Sequence, residues 1–263
     1  MIRRVCYALP PLLLTLAPAS WGQAHLTNEH VDLNIGFNSP TSFFMQARDD
    51  DNGVTYSPSN VILDVLSPAQ GLRPASSAFD FIGVAAGQNF WRLPQNQNPN
   101  LLYLGVAGYG VSSGSIDSYD ASAESGGRVS GTGPWTKLTL DSVKGAGGTA
   151  APGFFSVWQS GDSGPNVAMS SFSGGVNSDD ALWIVAGGHS HYNWAFTAPG
   201  TYEVSFRPSV HQGGATVSSP DAFTFLFNVQ SAAIPEPATL TLILLPLVGI
   251  VLRRHSRLAK ELN

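Results

Sequence analysis

The sequence predicts an all-β protein, a single β-sandwich of immunoglobulin-like or jelly-roll-like type. Three observations lead there. Only 12% of the 263 residues are charged, and Gly (28) and Pro (18) are frequent. Short runs rich in β-branched and aromatic residues recur between residues 26 and 230, each bounded by Gly, Pro, Asn or Asp. No stretch of helical length carries a 3.6-residue apolar period.

The expected strands lie in VDLNIGF (31–37), NVILDVL (60–66), NLLYLGVAGYG (100–110), KLTLDSV (137–143), GFFSVWQS (153–160), ALWIVAGG (181–188), YEVSFRPSV (202–210) and AFTFLFNVQ (222–230). Together with weaker segments they suggest eight to ten strands in one domain over residues 25–230. The Ser/Gly-rich stretch from Gly110 to Gly133 reads as a long surface loop inside that domain, because a further strand follows it at once.

Both ends read as addresses. Arg3 and Arg4, an apolar run through Leu9, Leu12, Leu13, Leu14 and Leu16, and then small residues make residues 1–24 a signal peptide. Ala17/Ala19 and Gly22/Ala24 both satisfy the small-x-small rule, so cleavage fits after Ala19 or after Ala24. At the other end, a linker (231–237) ends in Pro235-Glu236-Pro237, an apolar transmembrane segment follows (238–252), and a basic tail (253–263) opens with Arg253 and Arg254. A 15-residue helix reaches only about 22 Å, short of a ~30 Å hydrocarbon core, so it spans with snorkelling arginines or a thinned bilayer. The trailing cations should stay in the cytoplasm.

The only cysteine, Cys6, lies in the signal peptide, so the exported part offers neither disulfides nor thiolate ligands. Between His25 and Leu252 there are 7 Lys/Arg against 17 Asp/Glu, a balance of −10. Such a surface repels phosphate backbones, which argues against nucleic acid as a partner.

The chemistry-bearing pattern is GHSH, residues 188–191. In an extended strand residues i and i+2 share a face, so His189 and His191 should project side by side, as two ligands of one Zn²⁺ or Cu²⁺ would. His30 and Asp32 share a face of the first long strand by the same argument, and His211 is a further exported histidine. RDDDNG (48–53) lacks the downstream Glu of a calcium loop and reads as a solvated hairpin turn. Asp179-Asp180 reads as a turn, and Trp91 as packed beneath its amide-rich loop, though an exposed Trp91 would suit sugar stacking. Asn193 fits either a turn or a partner orienting a histidine. No G-x-S-x-G elbow, exported Cys or H-E-x-x-H helix occurs, so no enzyme chemistry is expected and no catalytic residue is assigned.

The C-terminal triplet, short apolar segment and arginine cluster, in that order, resemble the PEP-CTERM sorting signal of Gram-negative bacteria. That resemblance implies export by signal peptidase and processing by an exosortase near Pro235–Pro237. The expected locations are a membrane-anchored precursor and then the cell surface, outer envelope or extracellular matrix. EHVDLNIGF, FDFIGVAAGQNFWRLPQNQNPNLLYLGVAGYG and GHSHYNWAFTAPGTYEVSF further resemble the three signature blocks of the choice-of-anchor M domain. By position that resemblance carries over to His30, His189 and His191, and implies a surface β-domain without established catalysis. Its PEP-CTERM subgroup is connected to zinc supply through a zinc-uptake repressor. The resulting expectation is a non-catalytic, Zn²⁺-binding surface protein for zinc acquisition or buffering. The competing expectation is a structural or adhesive matrix protein that binds extracellular polysaccharide.

Overall fold

The computed structural model describes residues 22–231, and within them the chain is all-β. Residues 1–21 of the expected signal peptide, the Pro235-Glu236-Pro237 motif, the apolar segment 238–252, and Arg253 and Arg254 lie outside the described residues. Among the described residues no helix is long and apolar enough to cross a membrane.

The first half of the chain forms β1 (Ala24–Leu26), β2 (His30–Asn38), β3 (Ser42–Asp49), β4 (Val54–Tyr56), β5 (Val61–Val65), β6 (Gln70–Leu72), β7 (Asn89–Leu93) and β8 (Tyr103–Gly110). A small ribbon, β9 (Tyr119–Asp120) and β10 (Thr132–Gly133), interrupts the Ser/Gly-rich stretch. Then come β11 (Trp135–Gly145), β12 (Phe155–Gly161), β13 (Gly164–Ser170), β14 (Ala181–Val185), β15 (His189–His191) and β16 (Asn193–Phe196). The chain closes with β17 (Gly200–Gln212), β18 (Ala215–Ser218) and β19 (Phe223–Val229).

These strands make three larger sheets where the sequence suggested the two of a sandwich. One runs β1-β5-β19-β17-β11-β14 with β18 beside β17, a second β13-β12-β16-β7-β6, and a third β15-β8-β2-β3-β4. The β1/β5, β5/β19 and β2/β8 pairs are parallel, which alternation patterns cannot reveal. Strand β3 was not singled out in the sequence. Phe43 and Phe44 are adjacent there and point to opposite faces, so the apolar alternation is blurred. The Gly110–Gly133 stretch is more than a surface loop: Ala121 is buried with Ala181 and Trp183 in a small core of its own.

One apolar core serves all three sheets. The first and second sheets meet through aromatic side chains: Trp194 lies 6.2 Å from Phe206 and from Phe227, and Phe196 lies 5.0 Å from Tyr202. The third sheet adds Val31, Leu33, Ile35, Leu104 and Val106, all fully buried. Its alternate residues, His30, Asp32 and Asn34, therefore face away from that core, which frees this face for polar chemistry.

Trp194 joins the second sheet to the third, because its buried indole N–H donates to the Leu104 carbonyl at 3.1 Å. Trp194→Ala removes a large core side chain and that bond together. Urea unfolding followed by circular dichroism should show a loss of about 3–5 kcal/mol; a loss below about 1 kcal/mol would contradict this packing.

Candidate functional site

The polar face of the third sheet gathers the histidines. Strand β8 lies in the middle, with β2 parallel on one side and β15 antiparallel on the other. In register, His191 and Asp32 both pair with Gly105, His30 pairs with Tyr103, and His189 pairs with Ala107. Gly105 has no side chain, so Asp32 and His191 lean across β8 toward each other. A Cβ built there would collide with Asp32 Oδ1 and stand 2.9 Å from His191 Cε1.

A tight turn delivers β15 to this place. The chain leaves β14 in the first sheet and reverses through Ala186-Gly187-Gly188, with Gly187 at φ +77° and the Gly188 N–H donating to the Val185 carbonyl at 2.9 Å. Gly108 pins the turn by donating to the Gly188 carbonyl at 2.8 Å and accepting from the Gly187 N–H at 2.9 Å.

The three imidazoles converge. His30 Nε2 and His191 Nε2 are 3.1 Å apart, and one nitrogen from each of His30, His189 and His191 lies within 4.8 Å of the others. Two nitrogens bound to one Zn²⁺ at about 2.0–2.1 Å lie no more than about 4.2 Å apart, so small rotations close this set on a shared ion. His189 is exposed, while His30 and His191 are partly covered. Tyr103 stacks flat on His191 at 3.7 Å and 3°, which fixes that ring. Tyr109 stands 5.6 Å from His189, and the Arg48 guanidinium covers its ring at 4.9 Å.

Asp32 is fully buried, yet neither of its oxygens has a well-formed hydrogen bond among the described residues, and His191 Nδ1 has none either; the Tyr109 hydroxyl acts on Asp32, and the Leu104 backbone on His191, only weakly. Leaving a buried carboxylate unpartnered costs several kcal/mol, which a nearby cation offsets. Asp32 Oδ1 lies 4.0 Å from His191 Nε2. Burial pushes the Asp32 carboxyl above its ordinary value, against the pull of His189 and His30. Burial, reinforced by His30 and His189, brings His191 down to about 4, so its ring is neutral at pH 7 with a lone pair free for a metal. Burial and the charge of Asp32 raise Tyr103, and burial, the charges of Asp32 and Asp50 and a weak hydrogen bond to Asp32 raise Tyr109 against the pull of Arg48.

RDDDNG is more than a solvated turn. Asp51 accepts the His30 N–H at 2.8 Å, and the Asp50 N–H donates to the His30 carbonyl at 2.9 Å, so the turn locks the backbone of one of the three histidines. Asp50, paired with Arg48 at 2.6 Å, forms a second group of donors with His30 and Asp32. The sequence reading missed Asp50, Tyr103, Tyr109 and Gly105. Only the i, i+2 spacing of Tyr103 and Gly105 could have hinted at their shared face.

Other expected residues sit elsewhere. His211 does not join the site: it lies on β17 in the first sheet, stacked on Tyr119 at 3.7 Å, with Nε2 3.0 Å from Thr216 Oγ1. His25 lies on β1, and its Nδ1 meets the buried Asp64 at 2.7 Å. The boundary expected after Ala24 thus falls inside a paired strand. Asp180 accepts the Ser170 and Asn177 N–H groups, as a turn residue. Asn193 accepts the Gln95 N–H at 3.1 Å and organises that loop, not a histidine. Trp91 is buried and presents no face to a sugar. No protein-family model matches the chain, and neither the curated proteins nor the solved structures contain a match to it.

Two outcomes follow from this geometry. Gly105→Ala should fold, since Gly105 sits within a regular strand, but should displace Asp32 and His191, so that any metal the imidazoles hold is bound at least about tenfold more weakly. Titration calorimetry beside a thermal melt checks both halves, and unchanged affinity would contradict the role given to the glycine. The second outcome concerns pH. His191 is ordinarily half-protonated at 6.5 and here at about 4, so between those values the unfolded metal-free chain binds more protons and stability falls as pH falls. His191→Asn should remove a loss of roughly 3 kcal/mol across that window, read from urea unfolding at either end. Asp32, whose raised value acts in the opposite direction, is common to both proteins. A difference between them that does not change with pH would contradict the burial of His191.

Proposed function

We propose that the domain at residues 25–230 binds a divalent metal ion, Zn²⁺ foremost, through His30, His189 and His191, and serves zinc acquisition or buffering outside the cytoplasmic membrane. One observation carries the reading: three imidazoles from β2 and β15 converge, with His191 reaching across Gly105, beside a buried carboxylate that has no well-formed hydrogen bond. Imidazole and carboxylate oxygen suit Zn²⁺, Cu²⁺ and neighbouring ions, and the donors here include no thiolate or thioether that would select a softer ion. Asp32 supplies negative charge next to the ligands, and Asp50 adds more at the rim.

The exported location belongs to the same proposal. A signal peptide at residues 1–24 and exosortase processing near Pro235–Pro237, with Arg253 and Arg254 behind the apolar segment, put the domain at the cell surface or outer envelope. The role is binding without catalysis, in keeping with the resemblance to the choice-of-anchor M domain.

Elemental analysis and titration calorimetry on the purified protein test it. Wild type should take up one Zn²⁺ per chain, and the His189→Ala/His191→Ala double variant should lose affinity by at least about a hundredfold. Equal binding by the two, or no binding by either, would end the metal reading.

A further inference from the structure

A closed tetrahedral site needs a fourth donor spaced about 3.4 Å from each of the other three, given metal–nitrogen bonds of about 2.1 Å. Among the His, Asp and Glu side chains of the described residues none stands there. Asp32 Oδ1 is 4.0 Å from His191 Nε2, and both carboxylates group with His30 apart from the three-imidazole set. Asp32 also has little freedom to advance. Its backbone is fixed between Gly105 of β8 and Arg48 of β3, in the middle of a sheet. The solvent side of the set is marked by His189, the exposed member.

The second observation is Asp32 itself. A fully buried carboxylate whose two oxygens have no well-formed hydrogen bond calls for a donor, and among the described residues only the Tyr109 hydroxyl acts on it as one, weakly. A water held by a divalent ion is a strong donor, because the ion polarises its O–H bonds. Placed between the ion and Asp32, such a water would complete both the coordination of the metal and the hydrogen bonding of the carboxylate.

We propose that the ion held by His30, His189 and His191 keeps one coordination position for an exchangeable external donor. That donor is water in the resting protein and a small anion in competition, and Asp32 holds the water by accepting its proton in a hydrogen bond. This rests on the metal reading above and adds to it how the ion is held. Three protein ligands and an exchangeable fourth leave a position through which an incoming ligand can take the ion; four protein ligands would lock it in place. A site of this kind suits a protein that passes metal on.

Cobalt tests it, since the visible bands of Co²⁺ report its coordination and its external ligands. The full chain is loaded with Co²⁺ and titrated with azide, in wild type and in Asp32→Asn. The expected result is one Co²⁺ per chain in both, with bands that shift saturably as azide replaces water. Azide should bind about threefold or more tightly to Asp32→Asn, where the carboxylate that favours water and repels anions is gone. A Co²⁺ spectrum that azide leaves unchanged in wild type would overturn the exchangeable position while leaving metal binding intact. An azide-responsive centre with equal affinity in the two proteins would overturn the part given to Asp32. A chain that takes up no Co²⁺ would overturn the metal reading itself.

Discussion

The side chains of β2 and β15 can meet only because the strand between them is bare at one point. Neighbouring strands lie about 4.8 Å apart, so residues two strands apart start nearly 10 Å from each other. A side chain on the middle strand would ordinarily fill that gap. Gly105 leaves it open, and Asp32 and His191 approach across it. Tyr103, two residues earlier on the same face, then supports His191 from one side by flat stacking. The glycine and the tyrosine thus divide the work: one makes room, and the other keeps the ring from collapsing into it.

That arrangement depends in turn on how the sheets are joined. β15 is only three residues long and pairs with β8 alone, so pairing by itself would hold it weakly. It is secured at both ends by continuity with larger elements. The Gly187 turn ties its start to β14 in the first sheet, and Tyr192 leads from its end directly into β16, whose Trp194 bonds back to the Leu104 carbonyl of β8. Gln159 of β12 adds a bond to the His191 carbonyl at 3.0 Å. A short edge strand bearing two of the three imidazoles is therefore held largely by residues outside the imidazole cluster.

The sequence made part of this legible. The period of two in a strand placed His189 and His191 on one face, and likewise His30 and Asp32, and both inferences hold in the structure. What the sequence could not supply was the distance between the pairs, because it depends on a parallel β2/β8 pairing between segments more than 70 residues apart. His211 shows the same limit in reverse. Its chemistry qualified it as well as that of His30, but β17 belongs to a different sheet, and its ring is taken up by Tyr119 and Thr216. Gly105 was hidden for another reason: in YLGVAGYG it is one of three glycines, and only the register marks it out.

The polarity of the site follows from the same register. The β2 residues that build the core are Val31, Leu33 and Ile35, so every alternate position is committed to the opposite face. A slip of one residue would bury His30 and Asp32 in the core and turn three aliphatic side chains toward β15, at a cost of many kcal/mol. The apolar packing that stabilises the domain thereby also fixes which side chains face the imidazoles, and fold and site cannot be varied independently along this strand. Asp32 is where the two demands conflict, because its position is set by the packing of its neighbours while its buried oxygens are left without a well-formed hydrogen bond. A cation at the histidines, as proposed, would relieve that conflict, and the destabilised carboxylate would then be a source of affinity for the ion.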